Sequence, residues 1–398
     1  MMKTILLVVI ILFCTRVQSQ EAKNEISLRE LQELALDNNY GLRAEKSELK
    51  RTELSVKKAF TFPRTEIYEE YDENDLAPNG IPNHKLGIHQ DLEFPTVYSR
   101  RKRVNLKKKD LQFEHLRFET ASLMEKITQQ YYYIAYLENR KTVLGMLDSL
   151  YADFSRSARN KNDSTNIKDL EIATVLAKYR KISTDYISVN NELEMAYEEM
   201  HSLIQHDTTF HISAKALKKV DFSEEDTLSS PGIRLYQSRK RLSEEKLKLE
   251  KHILLPAFGA DYFIASNRGL NSYLHGYHFG IKLPLLYFGD KAEIAAKKME
   301  VETASYEQKN YEIRLISKRK QLQATVDRFK IQLAYYESEG ISLADQIIEM
   351  ARRSYKQGNI DFFQYAKSLE DAQDFRLDYL EVLYEYNKAA IGLNYLIL

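Results

Sequence analysis

The chain has 398 residues with 58 basic and 58 acidic side chains, so its net charge singles out no partner of either sign. Thirteen glycines and seven prolines are few for this length, which argues against a loop-rich fold and for long helices. Cys14 is the only cysteine, which excludes an intrachain disulfide framework.

The N-terminus has the layout of a secretory signal. Lys3 supplies the charge and Ile5 to Phe13 the apolar core. Val17, Gln18 and Ser19 supply a cleavage site after residue 19. The apolar core is too short to span a bilayer. A lipoprotein signal would need Cys14 at the cleavage point, and Phe13 before it is too bulky. No later run approaches the ~18 apolar residues of a spanning helix, so membrane insertion would have to use strands.

Residues 20–206 read as a first structural repeat. After a short disordered lead, Ser27 caps a helix expected to run to Ala59, and Phe62-Pro63 stops it. A strand is predicted at about 64–73, then a turn-rich loop at 75–82, then a strand at about 84–95. A helical hairpin follows over 96–206. Its outgoing arm carries Leu116, Leu123, Ile127, Ile134, Leu137, Leu144 and Tyr151 at three-and-four spacing, as in a coiled coil. Asn160 to Asn166 breaks it. The return arm carries Ile182, Tyr186, Val189, Leu193, Ala196, Met200 and Leu203. Residues 207–230 form a polar connector.

The second repeat, 231–398, runs the same course. Pro231 opens a helix that Pro256 ends, strands are predicted at about 257–266 and 272–284, and a hairpin covers 288–398. The hairpin breaks at Gln357, Gly358 and Asn359. Lys85 to Pro95 returns as Leu274 to Pro284, with Gly87 matching Gly276, His89 matching His278 and Tyr98 matching Tyr287. Both stretches alternate. One face carries Ile88, Leu92 and Phe94 in the first copy and Tyr277, Phe279, Ile281 and Leu283 in the second; the other face is polar or bare.

Four strands of about ten residues suit a tilted bilayer crossing. They cannot close a barrel, and open edges are not tolerated in lipid, so each chain must borrow strands from copies of itself. The apolar seams of the hairpins make the same demand. The expected fold is mainly α with a small β part, a duplicated strand–strand–long hairpin unit assembled cyclically.

This layout resembles the TolC-like outer-membrane efflux family over about residues 25–398. The resemblance rests on the two halves, Pro63 and Pro256 at the helix-to-strand junctions, and Phe94-Pro95 and Leu283-Pro284 at the strand exits. It also rests on the tip stretches Tyr355 to Ala366 and Asp169 to Ala173. It implies a homotrimer with a twelve-stranded outer-membrane β-barrel continuing into a periplasmic α-helical barrel. It implies partnership with a periplasmic adaptor protein and an inner-membrane pump, no cofactor and no covalent chemistry. Some relatives, the heavy-metal branch, export copper, silver, zinc or cobalt. The tip turns match at Asp163 and Gly358, although Asp163 stands where a glycine is common. Gln364 and Lys367 occupy positions often acidic in the family. An acidic gate would therefore rest on Asp169, Asp361, Asp371 and Asp374, with Glu370 beside them.

Arg100, Arg101, Lys102 and Arg103, with Lys107 to Lys109 beyond, form the densest basic run. Nucleic acid is an unsuitable partner for an exported chain. A solvated helix face and a contact with outer-membrane lipid phosphates at the periplasmic membrane edge both stay open. His201, His206 and His211 recur every five residues, a poor helical spacing for a shared metal, and His89 and His278 sit on the polar strand face. Glu198-Glu199 and Glu224-Glu225 read as surface charge. No phosphate loop or nucleophile motif is present, so no enzyme is expected. The alternative to an export channel is a secreted coiled-coil scaffold whose strands form a soluble cap. An apolar strand face in both halves argues against it.

Overall fold

The computed structural model describes residues 25–160, 169–206, 210–213, 216–222, 230–269, 271–285 and 288–398; the side chains of 157–160 and 169–172 fall outside it. The expected signal peptide, 1–19, and the tip residue Asp163 lie outside the described residues.

In chain order the elements are β1 (Glu25–Ile26), α1 (Leu28–Asn38), α2 (Tyr40–Lys57), β2 (Glu66–Leu76), β3 (Pro82–Leu92), α3 (Pro95–Asn160), α4 (Asp169–Ile204) and β4 (His211–Ile212). The second half gives α5 (Pro231–Ile253), β5 (Ala257–Ser266), β6 (Leu274–Lys282), α6 (Phe288–Tyr335), α7 (Ile341–Lys356) and α8 (Phe362–Tyr395). A π-helical turn at Tyr336–Gly340 joins α6 to α7. The fold is therefore mainly helical with a small sheet part, and its two halves repeat the order strand, strand, long helix.

The described elements fall into two compact units, and each takes segments from both halves of the sequence. One comprises α1, the later part of α3, α4, the connector, and the chain from residue 321 through most of α8. Its core is the periodic set read from sequence: Ile127, Ile134, Leu137 and Tyr151 of α3, and Ile182, Val189 and Met200 of α4, are all buried. Leu147, Tyr151 and Ile182 form one cluster, and Gln130 ties α3 to the Ala196 carbonyl of α4 at 2.7 Å. From α8, Tyr384 stacks on Tyr136 at 4.7 Å between ring centroids.

Three features of this unit were not foreseen. The lead is not disordered at its end: Glu25 and Ile26 pair in parallel with His211 and Ile212 of the connector. The helix expected from Ser27 to Ala59 is broken at Asn39, which is extended (φ −60°, ψ 116°). The Asn39 side chain there donates to the Leu203 carbonyl at 3.0 Å, and a tertiary bond of that kind competes with helix continuation. Ser27 does cap α1, in a reciprocal box with Glu30. Finally, the polar connector is clamped by Asn387 of α8, fully buried, which accepts from the Val220 N–H and donates to the Lys218 carbonyl, both at 2.8 Å.

The other unit comprises α2, the early parts of α3 and α6, α5 and the four-stranded antiparallel sheet. Its strand order is β2-β3-β5-β6. The strands sit close to the predicted ranges, except that β2 extends to Leu76 through a register irregularity between Tyr71 and Leu76. β3 and β6 stop at Leu92 and Lys282, short of the prolines. The two hairpin turns are joined by a reciprocal amide pair between Asn79 and Asn267 at 3.0 and 3.2 Å.

Candidate functional site

The sheet has two chemically different faces, and register decides which residues share each. One row runs Ile67, Ile88, Tyr262, Tyr277 across all four strands; a second runs Leu92, Phe258, Ile281. These side chains are open: exposure rises from 36% at Leu92 and 44% at Ile88 to 65% at Ile281, 75% at Phe279 and 76% at Tyr277. Leu283 is also exposed, and Phe94 is half-buried against Phe258 at 6.2 Å. Ile67, Leu86 and Tyr262 complete the face. Ile67 is not legible from sequence, because the alternation of β2 is hidden among its acids. A contiguous apolar face of this extent marks a surface made for another apolar phase or partner.

The opposite face is built differently. Tyr68 and Phe263 lie over Gly87 and Gly276, where a Cβ would come within 2.4 and 2.2 Å of the rings. The duplicated glycines are thus slots for an aromatic of the preceding strand. Below them runs the row Glu66, His89, Asp261, His278. His89 Nδ1 is 2.7 Å from Asp261 and its Nε2 is 3.1 Å from Asp91; His278 Nδ1 is 3.0 Å from the second Asp261 oxygen; Lys282 binds Asp91 at 2.8 Å. His89 has a carboxylate on each ring nitrogen, and only the imidazolium donates to both. The two histidines share one aspartate. Among the described residues no three His, Cys, Asp or Glu side chains converge as a metal would need. His201, His206 and His211 are no exception: His201 Nδ1 lies 3.3 Å from the His206 backbone carbonyl, and its ring packs on Phe210 at 4.9 Å.

The basic run follows the Pro95 junction and is partly engaged within its own unit. Arg101 pairs with Glu93 at 2.7 Å and lies over the Tyr98 ring. Arg100 contacts His252 at 3.3 Å and Glu245 at 3.9 Å on α5. Lys102 and Arg103 are exposed, with Lys102 over the Phe60 ring.

The second tip is a Schellman turn. Gly358 takes φ +74°, and the N–H groups of Asn359 and Gly358 donate to the Ser354 and Tyr355 carbonyls at 2.9 and 3.0 Å. Asp361 then caps α8: its carboxylate accepts from the Gln364 N–H at 2.7 Å while Gln364 accepts from the Asp361 N–H at 3.2 Å. Asp371 pairs with Lys367 at 2.6 Å. Partial burial, then the Glu370 charge, raise the Asp374 carboxyl above its ordinary range. Glu370 is buried and joins three helices, accepting from the Tyr151 hydroxyl of α3 at 2.8 Å and pairing with Lys178 of α4. Burial pushes its carboxyl up, but Lys178 and Tyr151 outweigh that and the net direction is down. Asp169 opens α4, with its side chain outside the described residues.

The duplicated strand pair and helical hairpin, with a sheet apolar on one face and charged on the other, form a fold also seen in structures described as outer-membrane channels. The Campylobacter jejuni CmeC outer membrane channel matches with TM-score 0.76 and 14% identity, over 93% of this chain and 85% of that one. Vibrio cholerae VceC, an outer membrane protein, gives 0.71 and 11%, over 93% and 94%. The Neisseria gonorrhoeae MtrE outer membrane channel, in its open state, gives 0.70 and 14%, over 92% and 90%. No protein-family model and no curated sequence matches the chain. The likeness is one of fold, held while nearly all side chains differ.

Proposed function

We propose that this chain is the outer-membrane channel of an export system, a passive duct that works with a periplasmic adaptor and an inner-membrane pump. The observation that carries this reading is the four-stranded sheet. Its apolar face is laid open in register across every strand, its other face is charged, and among the described residues both outer strands lack a partner. Open strand edges are not tolerated in lipid, so copies must complete the sheet. Three copies give a twelve-stranded barrel with the apolar face to lipid, and the hairpins extend it into the periplasm. The structural neighbours described as outer-membrane channels support the same reading.

The basic run then lies at the periplasmic membrane edge, with Lys102 and Arg103 available to lipid phosphates. The tip acids, Asp169 first and Asp361, Asp371 and Asp374 after it, form the gate. Like charges gathered from several copies favour a cation between them. Asp361 is engaged at its cap and Asp371 with Lys367, which weakens both as gate residues.

Purified protein in detergent is expected to have the mass of three chains and to form ion-conducting pores in planar bilayers. A stable monomer without conductance would refute the channel. Divalent cation on the periplasmic side should block the native pore and block Asp169→Asn less; equal block removes Asp169 from the gate. The secreted scaffold is the weaker reading, because a soluble cap has no use for the exposed row Ile67, Ile88, Tyr262, Tyr277.

A further inference from the structure

The two open edges of the sheet differ in charge. β2 carries six carboxylates, at Glu66, Glu69, Glu70, Asp72, Glu73 and Asp75. β6 carries no acid, but His275, His278 and Lys282. The antiparallel order continues if β6 of one copy pairs with β2 of the next, and these charges then attract.

The strand ends fix how far one edge slides along the other. Along the row Glu66, His89, Asp261, His278, β2 begins at Glu66 itself. β3 runs three residues further, to Leu92. β5 begins four residues earlier, at Ala257, and β6 runs four further, to Lys282. The far ends slip the same way: β2 reaches Leu76, ten residues beyond Glu66, while β6 starts at Leu274, four from His278. Strands of a tilted barrel end at one membrane level, so this slip measures their tilt. Four residues make about 13 Å, against about 14 Å for the three strand spacings from β2 to β6, a tilt of about 43°. That is the inclination of membrane barrels. Zero slip would set His278 against Glu66 and leave the end of β6 hanging past the start of β2.

We propose that the sheet is completed by a second copy of this chain with Lys282 opposite Glu66, Gly280 opposite Tyr68 and His278 opposite Glu70 of the next copy. This register brings the ends of β6 and β2 level and overlaps β6 along its whole length. It sets a base against an acid twice on the charged face. On the apolar face the same register sets Ile281 beside Ile67 and Tyr277 beside Tyr71. Lys282 pairs with Asp91 of its own chain but stays 58% exposed, so it can also reach Glu66, which is exposed. The inference rests on the channel reading for the identity of the partner, a copy of the chain.

The test is thiol cross-linking in membranes between cysteine pairs placed on the two edges, Cys14 being the only native cysteine. A short bismaleimide should link Lys282→Cys with Glu66→Cys into a ladder ending at the full ring, at least tenfold more efficiently than His278→Cys with Glu66→Cys. Preferential linking of the second pair overturns the slip. Failure of both pairs, in an assembly whose mass in detergent is intact, overturns edge pairing in this order. As a second measure, Lys282→Glu should weaken the detergent-stable assembly and Glu66→Lys in the same chain restore it; no restoration counts against the contact. Conductance of the same preparations is read separately. Correct cross-links without pores would refute the channel and leave the register standing.

Discussion

Replacing Glu370 tests how the two hairpins are held together. Its carboxylate is 8% exposed, accepts from the Tyr151 hydroxyl at 2.8 Å and pairs with Lys178, so one side chain of α8 engages α3 and α4. Glu370→Gln keeps an acceptor for Tyr151 and loses the ion pair. Lys178 is 40% exposed along its side chain and rehydrates, so the expected cost is about 1 kcal/mol. Glu370→Leu has no acceptor, and Tyr151, only 4% exposed, is left with a buried unpaired hydroxyl. That adds about 1–3 kcal/mol. The assay is hydrogen exchange of the assembled protein, read on peptides covering 147–154 and 366–376. At about 1.4 kcal/mol per factor of ten, Gln should speed exchange several-fold and Leu by ten- to a thousandfold. The pH dependence has a definite sign. The Glu370 carboxyl lies below its unfolded value of 4.5, so its contribution is present above that pH and is lost as pH falls through the folded value. Tyr151 is raised above 10, first by burial and then by Glu370, so its contribution is present below that pH and is lost as pH rises through the folded value. Unchanged exchange in Glu370→Leu would show that packing of Tyr151, Leu147 and Ile182 alone holds the helices.

Asn387→Leu removes both bonds to the connector and should cost about 2–4 kcal/mol locally, seen as faster exchange at Val220 and its neighbours; unaltered protection would mean the connector is held elsewhere. Asp361→Ala removes the cap of α8 and should cost about 1 kcal/mol, read by exchange over 362–367, with Asp361→Asn nearly silent. Phe279→Lys puts a charge on the open apolar face and should cost about 2–4 kcal/mol in a bilayer, falling towards zero in the soluble scaffold reading. Its measurement is the urea midpoint of protein refolded into lipid vesicles. Gly87→Val displaces the Tyr68 ring and should weaken assembly, while Gly80→Asn, at an open turn whose φ of +72° asparagine tolerates, should assemble; normal assembly of the first would refute the aromatic slot.

The sequence alone determined the periodic features. Alternation in Ile88, Leu92, Tyr277 and Ile281 set a two-faced strand, because side chains of a strand point to opposite faces at period two. The three-and-four spacing of Ile127, Ile134, Val189 and Leu333 set long helices with a buried stripe, and the repeat of Gly87 at Gly276 set the duplication. Each of these is local and is written in adjacent residues. Tertiary structure decided what depends on distant partners. That Tyr68 covers Gly87, that one aspartate serves two histidines 189 positions apart, and that Asn387 clamps a connector remote in sequence follow from register and packing, which no window of sequence contains. Asn39 breaks a helix for the same reason: its better hydrogen bond lies at Leu203. Asp361 had the chemistry for a gate and for a cap, and only the geometry of the turn before α8 showed its carboxylate engaged at the cap.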